Sequence, residues 1–127
     1  MGYDVSWHVE NRILLLKLKG ELTSEESLEI SDINVQHFDA GVAPVHLIID
    51  ISELQKFPTN IRQTSALARY LRHKKLGWVV VVGTNTLINF MSSLLSQLTG
   101  FDYTKRDSID DAVKFLQRQD ETLVVST

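Results

Sequence analysis

The sequence contains no cysteine, few glycines and prolines, and no excess of positive charge. Without cysteine, the 127-residue chain has no disulfide, no thiol nucleophile and no thiolate metal site. Two prolines and six glycines leave no Pro/Gly-rich linker between domains. A formal net charge of −3 argues against nucleic acid as a partner, because binding to phosphates requires a basic surface.

The remaining composition is that of an ordinary globular domain. Hydrophobic residues make up 43% of the chain and charged residues 23%, and the length suits one domain. The first residues do not combine a basic segment with an apolar core, so we expect no signal peptide. These features together predict a soluble cytoplasmic protein.

Two segments at the start of the chain predict an antiparallel hairpin. Residues 3–9 alternate apolar and polar side chains with period two, as in a half-buried strand. Asn11 can take the left-handed conformation of a tight turn, and residues 13–19 form the returning strand. Gly20 is predicted to close the hairpin.

Residues 45–61 contain the most informative stretch of the chain. The apolar run over residues 45–51 predicts a buried strand, and a polar loop over residues 52–58 follows it before a helix begins near Thr59. In open α/β sheets, ligands and partners usually bind beyond the carboxyl ends of the strands. We therefore expect a partner-binding surface formed by Asp50, Ser52, Phe57, Thr59, Asn60 and Arg62.

A capping box predicts the first helix. The hydroxyl of Thr23 and the carboxylate of Glu26 can satisfy each other's backbone amides, and Gly41 is the expected end of the helix. The apolar face of this helix would comprise Leu28, Ile30, Ile33, Val35 and Phe38.

Three more helices and two more strands follow from the pattern. The second helix is predicted over residues 59–75, with Gly77 after its end, and the third over residues 86–99. Ser108 and Asp111 predict a second capping box at the start of the last helix. The further strands are predicted at residues 78–82 and 102–106.

The order of these elements predicts an α/β fold. It contains one mixed five-stranded sheet, in which an N-terminal antiparallel hairpin is followed by parallel β-α units with about four helices. We assign residues 1–119 to a single domain and residues 120–127 to a C-terminal tail.

The third predicted helix lies in an uncharged part of the chain. Residues 76–101 contain no charged side chain, but polar residues interrupt the apolar run, so it is not a membrane span. The outer face of the helix carries Asn89, Ser92, Ser93 and Ser96. Chance, a covering partner subunit or the lining of a pocket would each account for this face, and a homodimer through the helix is the simplest form of coverage.

The sequence contains no recognisable catalytic, cofactor or metal motif. Its four histidines, His8, His37, His46 and His73, fall in no metal-ligand spacing, and His46 is interpreted as a packed or edge histidine. No nucleophile elbow, P-loop or dinucleotide-binding turn is present. Asp50 is the best single acid, and it can also simply accept hydrogen bonds from the backbone that follows it. We therefore predict no enzyme, no cofactor and no metal.

Five segments together resemble the STAS domains, in particular the SpoIIAA-like branch, which shares its architecture with SEC14-type lipid-binding domains. They are KGELT at residues 19–23, LIIDIS at 47–52, PTN at 58–60, GWVVVVG at 77–83 and DSIDDAVKFL at 107–116. The resemblance covers nearly the whole chain and implies an anti-sigma-factor-antagonist fold.

The resemblance also places a candidate phosphoacceptor. In phosphorylated STAS proteins, a regulatory hydroxyl follows an aspartate in the pattern Asp-Ser-Ser/Thr-Gly. Here Pro58, Thr59, Asn60 and Ile61 stand at these positions, so the hydroxyl is kept at Thr59 while the aspartate and the glycine are lost. The alternative role of Thr59 is the N-cap of the second helix.

Two functions remain open at this point. The first is a non-enzymatic regulatory module that binds another protein through the loop after the central strand. The second, implied by the SEC14 resemblance, is a carrier or sensor of a small apolar ligand. Its pocket would involve Trp78, Phe90, Met91 and Phe101.

Overall fold

A computed structural model of the chain describes residues 2–56, 69–97 and 101–123. Its single five-stranded sheet has the order β1-β2-β3-β4-β5. The strands are β1 (Tyr3–Val9), β2 (Ile13–Glu21), β3 (Val45–Lys56), β4 (Leu76–Val82) and β5 (Asp102–Arg106). The helices are α1 (Ser24–Ala40), α2 (described over residues 69–71), α3 (Leu87–Ser96) and α4 (Ile109–Gln119).

The sheet is mixed in the way that the sequence predicts. Strands β1 and β2 are antiparallel, whereas β2–β3, β3–β4 and β4–β5 are parallel pairs. A crossover segment joins each parallel pair, which the parallel geometry requires. The predicted fold class, an α/β fold with one mixed five-stranded sheet, is confirmed.

Two hydrophobic cores lie on the two faces of the sheet. On one face, residues of α1, α2 and α3 pack against the inward side chains of β2, β3 and β4, with Phe38, Leu71 and Leu95 fully buried. On the other face, α4 covers β3 and β4 through Ala112 and Leu116. The sheet is therefore buried on both sides at its centre, which explains the continuous apolar runs of β3 and β4.

Local signals at the hairpin and at α1 are confirmed. Asn11 has a φ of 67°, the left-handed conformation expected at the turn. Both bonds of the first capping box are present: the Thr23 hydroxyl accepts from the Glu26 amide at 3.1 Å, and the Glu26 carboxylate accepts from the Thr23 amide at 3.1 Å. The helix ends at Ala40, directly before Gly41.

The predicted apolar face of α1 is wrong in part. Leu28 is 45% exposed, whereas Ser27, Ser31 and Asn34 are buried. Together with Phe38, these three polar residues follow one another along the chain at intervals of four, three and four residues. Residues at such intervals lie on one face of a helix. Since that face packs on the sheet, Leu28 points outward.

Strand β3 is longer than predicted. Residues 52–56, which the sequence assigned to a polar loop, belong to the strand. Lys17 pairs with Asp50 but Lys19 pairs with Glu53, so β3 has one extra residue opposite Leu18. This β-bulge at Ile51 and Ser52 interrupts the alternation of side chains along β3. The interruption makes the second half of the strand look like a loop in the sequence.

The second half of the chain differs from the predictions in smaller ways. Gly77, expected just after a helix, is the second residue of β4. Helix α3 spans Leu87–Ser96, whereas the predicted helix covers residues 86–99, of which residues 98 and 99 lie outside the described part. Strand β5 has the predicted bounds. Within the described residues, no helix has the length and apolar character needed to cross a membrane.

Candidate binding edge of the sheet

The carboxyl ends of the parallel strands form the edge at which the sequence predicts a partner-binding surface. Strand β4 ends at Val82, which pairs with Asp50. Beyond this point, among the described residues, β3 pairs with β2 alone, through Glu53, Leu54 and Lys56. The two strands thus project past the rest of the sheet; we refer to residues 19–21 and 53–56 as the β2–β3 arm.

Asp50 and Ser52 lie together at the base of this arm. The Ser52 amide donates to Asp50 Oδ1 at 2.9 Å, and the Ser52 hydroxyl donates to the same oxygen. The carboxylate therefore stabilises the backbone of the bulge. Ser52 is exposed and Asp50 is half-buried, so both remain accessible from the end of the sheet.

Asn85 connects the same edge to α3. Its side-chain amide donates to the carbonyl of Ile51 at 2.8 Å, while its Oδ1 accepts from the amide of Leu87 at 3.0 Å. Asn85 thus satisfies an amide of the first turn of α3, although Thr86 is the residue directly before the helix. The bond to Ile51 additionally fixes the start of α3 against the bulge of β3.

The loop between β5 and α4 completes the edge. The Ser108 hydroxyl accepts from the Asp111 amide at 3.1 Å, which is the first of the two bonds of the predicted second capping box. A concavity of about 360 Å³ lies between this loop and the end of β3. Its lining comprises Asp50, Ser52, Val82, Asp107, Ser108, Ile109 and Asp110.

A second concavity of about 400 Å³ adjoins the first, since both include Asp107 in their lining. Besides Asp107, its charged residues are Lys105 and Arg106, and its lining also includes Gly83 and Thr84. The Arg106 guanidinium lies 4.5 Å from the centre of the Phe115 ring, which holds the cation in place. The edge therefore presents carboxylates and cations side by side in two shallow depressions.

The structure describes only part of the predicted partner-binding surface. Asp50 and Ser52 are brought together, as reported above. Phe57, Thr59, Asn60 and Arg62 lie outside the described residues. The contribution of the β5–α4 loop was missed, although the rule that parallel strands end at one edge could have indicated Asp107 and Ser108.

The four residues of the predicted apolar pocket have different surroundings. Trp78 and Phe101 line one cleft of about 340 Å³ at the opposite end of the sheet. Met91 is 2% exposed within the core under α3, and Phe90 is 38% exposed. The structure brings two of the four together, and the binding of an apolar ligand stays a prediction.

The cleft at the opposite end is bordered by a buried histidine. His46 is 2% exposed, which agrees with its interpretation as a packed residue. Val45 pairs with Leu76 and Leu47 with Val79, so His46 alone stands opposite two residues of β4. At this second β-bulge, the amide of Trp78 donates to His46 Nδ1 at 3.0 Å rather than to the backbone of β3.

The other ring nitrogen of His46 reaches the segment after α4. His46 Nε2 lies 2.8 Å from Asp120 Oδ2, and because Nδ1 is an acceptor, Nε2 carries the proton and donates it. Asp120 Oδ2 also accepts from Arg12 at 2.8 Å, and Asp120 Oδ1 accepts from the amide and hydroxyl of Thr122. We call Arg12, His46, Trp78, Asp120 and Thr122 the His46 cluster.

The electrostatics of the cluster favour a neutral imidazole beside an ionised carboxylate. Burial lowers the pKa of His46 below its ordinary value, although the hydrogen bond and charge of Asp120 act in the opposite direction. Burial disfavours ionisation of Asp120, but hydrogen bonds from Thr122 and His46 outweigh it and lower its pKa to about 2. With a bond at each nitrogen, the ring has no lone pair free to act as a base.

The segment after α4 is thereby attached to the sheet. Thr122 additionally accepts from Arg12, and Leu123 is 7% exposed in the core beneath α4. These contacts fall in the part of the chain assigned to the tail, and the domain boundary at residue 119 stays a prediction. Among the described residues, no group of histidines and carboxylates is arranged to hold a metal ion.

Comparison with solved structures places the chain in a known fold. A protein of the DUF3478 family with a SpoIIAA-like fold, from Shewanella loihica PV-4, aligns with a TM-score of 0.65 and 19% identity, over 90% of this chain and 91% of its own. SpoIIAA, a Bacillus cell fate determinant, in its phosphorylated form aligns with a TM-score of 0.60 and 11% identity, over 90% and 98% of the two chains. The anti-sigma factor antagonist SpoIIAA in its unphosphorylated form aligns with a TM-score of 0.63 and 12% identity, over 91% of this chain and 97% of its own.

These similarities establish a SpoIIAA-like fold, which the resemblance of the five sequence segments implied. No protein-family model and no curated protein matches the sequence.

Proposed function

We propose that the chain is a non-enzymatic, cytoplasmic regulatory module that binds another protein through the carboxyl edge of its sheet. The fold supports this proposal, because one of the similar structures is an anti-sigma factor antagonist. The observation that carries it is the β2–β3 arm, which extends past β4 and stands directly before the predicted contact residues Phe57, Thr59, Asn60 and Arg62.

The arm and its surroundings have the properties of a surface for protein recognition. Its residues Glu53, Gln55 and Lys56 are exposed, so hydrogen-bonding and charged groups are available to a partner. The two adjoining depressions add carboxylates on one side and Lys105 with Arg106 on the other. Such alternation of charge favours orientation and specificity of binding more than affinity.

Photocrosslinking in the native host tests this proposal. A photoreactive amino acid is placed at Ser52 in the bulge or at Gln55 in the arm, both of which are exposed. We expect the same partner protein to be crosslinked from both positions. Ser6 on β1 and Gln117 on α4 are equally exposed and serve as control positions away from the edge. Crosslinking of that partner from the control positions alone would refute binding through this edge.

For Thr59 we propose the role of a helix cap rather than that of a phosphoacceptor. The sequence supports this assignment, since Pro58 and Asn60 replace the aspartate and one of the hydroxyl residues of the phosphorylated pattern. Ser, Thr, Asp and Asn are the preferred side chains at the start of a helix.

We also propose that the module forms a homodimer through α3. Asn89, Ser93 and Ser96 are exposed and uncharged, and Phe90 beside them is 38% exposed. Small polar side chains allow two helices to approach closely without burying a charge. A two-fold axis across this face would pair the helix with a copy of itself, the commonest symmetry of oligomers.

A further inference from the structure

The His46 cluster holds together four parts of the molecule that are distant in sequence. Arg12 comes from the turn between β1 and β2, His46 and Trp78 from the starts of β3 and β4, and Asp120 from the segment after α4. We propose that this cluster is an acid-sensitive device: when His46 takes up a proton, the β4 bulge and residues 120–123 separate from their closed positions and the cleft beside Trp78 opens.

Protonation of His46 creates a conflict between two hydrogen-bond donors. In the closed form Nδ1 of His46 accepts from the Trp78 amide at 3.0 Å. A proton on Nδ1 converts this acceptor into a donor, so two N–H groups face each other at hydrogen-bonding distance. Rotation of the ring does not help, because both nitrogens of an imidazolium are donors.

The packing around the His46 ring limits the direction in which it can move. A single Cβ atom on Gly77 would lie 2.6 Å from His46 Nδ1 and 2.7 Å from Cε1, so the ring packs directly on the Gly77 backbone. The ring therefore cannot move away from Trp78 in that direction. The open direction is the cleft of about 340 Å³, whose wall includes His46 and Asp120.

The Asp120 carboxylate responds to the charge on the ring. The attraction between Asp120 and an imidazolium is stronger than that between Asp120 and a neutral ring. Asp120 therefore follows the ring toward the cleft, and it takes with it Thr122, whose amide donates to its Oδ1 at 3.0 Å. The Trp78 amide is left without its acceptor, and Leu123 is drawn out of the core.

The direction of the pH dependence follows from the surroundings of the ring. The charged groups that face His46 are Arg12 and Asp120, while Asp102 at the start of β5 lines the same cleft. Among the described residues of β4 that line the cleft, none is charged. Because burial lowers the pKa of the closed-state ring, the open state binds the proton more tightly, and acid favours opening. Between the pKa of His46 in the closed state and its pKa in the open state, the ratio of open to closed molecules rises about tenfold for each unit by which the pH falls.

Amide hydrogen exchange measured by NMR tests the proposal. The amides of Trp78 and Leu123 are both hydrogen-bonded in the closed form, at 3.0 Å and 3.1 Å. From pH 7 to pH 5 we expect their protection factors to fall about tenfold or more, while that of Ile48 at the centre of the sheet stays constant. Protection factors of Trp78 and Leu123 that do not depend on pH in this range would overturn the proposal.

Two variants make the test specific. His46→Gln keeps a donor that can reach Asp120 but cannot be protonated, so the pH dependence should disappear. His73→Gln is the matched control, because His73 makes a similar pair elsewhere, with Nε2 at 2.7 Å from Asp39 and Nδ1 accepting from the Lys75 amide. This control should leave the pH dependence at Trp78 unchanged. A dependence that persists in His46→Gln, or vanishes in His73→Gln, would overturn the assignment to His46.

A third variant covers the case in which His46→Gln does not fold. Asp120→Asn keeps an oxygen acceptor for the ring but removes the negative charge of the carboxylate. In the native protein this negative charge raises the pKa of His46. The NMR titration midpoint of the His46 Cε1 proton should therefore move to lower pH in this variant. An unchanged midpoint would show that the ring is not coupled to Asp120 and would overturn the proposal.

Discussion

Gly77 has no room for a side chain, and replacing it with alanine should disrupt the His46 cluster. The added Cβ atom would lie 2.6 Å from Nδ1 of His46 and 3.1 Å from Cβ of Pro44. Among the described glycines, Gly20 and Gly83 have a positive φ, whereas Gly77 does not. The backbone conformation therefore suits alanine, and the cost of the substitution comes from the contact with the ring.

The magnitude combines two effects of displacing a buried ring. Overpacking a filled site costs about 1–3 kcal/mol. The ring also loses good geometry in its bonds to Trp78 and Asp120, each worth about 0.5–1.5 kcal/mol. We expect Gly77→Ala to lower the free energy of unfolding by about 2–4 kcal/mol, a large share of the about 5–15 kcal/mol typical of a domain. In urea denaturation the midpoint should fall by on the order of 1–2 M.

A double-mutant cycle identifies the contact responsible. In a His46→Ala background the ring is absent, so the further cost of Gly77→Ala should drop below about 1 kcal/mol. Full stability of Gly77→Ala, or an equal cost in both backgrounds, would refute the argument that the ring excludes a side chain at this position.

Three further predictions concern the binding edge, the dimer and the modification state. Asp50→Asn keeps an acceptor for the Ser52 amide, whereas Asp50→Leu does not. The Leu variant should therefore be less stable than the Asn variant by about 0.5–1.5 kcal/mol in urea denaturation. Equal stabilities of the two variants would show that Asp50 does not stabilise the bulge through this hydrogen bond. Ser93→Lys combined with Ser96→Glu should convert the proposed dimer into a monomer in sedimentation at micromolar concentration, and either a monomeric wild type or a dimeric double variant would rule out the α3 interface. Intact-mass analysis of the protein from its native host should show no stoichiometric phosphate on Thr59, whereas a full phosphate there would contradict its assignment as a cap.

The parts of the fold that local chemistry determines could be predicted from the sequence. The capping box of Thr23 and Glu26 and the left-handed Asn11 involve residues within a few positions of each other, and both are present. Strand β5 also has its predicted bounds, because it is short and lies between two clear helix signals. Such features depend little on the rest of the molecule.

The errors arise where tertiary packing overrides the local pattern. The bulge at Ile51 and Ser52 shifts the register of β3, so alternation along the sequence does not reveal that the strand continues to Lys56. On α1, the direction of the helix face is set by contact with the sheet, and this buries Asn34 while exposing Leu28. Periodicity alone favours the opposite arrangement of these two residues.

One of the two candidate sites could be predicted in part from the sequence, and its role in binding stays a prediction. The rule for parallel sheets pointed to Asp50 and Ser52, since it depends only on strand order. The His46 cluster could not be found in this way, because its bonds join residues 74 and 108 positions apart. The sequence offers one weak signal for it, a histidine within an otherwise apolar buried strand, which requires a hydrogen-bond partner from elsewhere.

The most direct test of the account is an NMR footprint of the isotopically labelled chain with the partner that the crosslinking identifies. If the partner binds through the carboxyl edge of the sheet, its addition shifts or broadens the amide signals of Ser52, Gln55 and Ser108 at that edge. The signals of Gly77 and Thr122, at the opposite end, should stay in place. Perturbations centred on Gly77 and Thr122, with Ser52 and Gln55 unaffected, would contradict binding through the carboxyl edge.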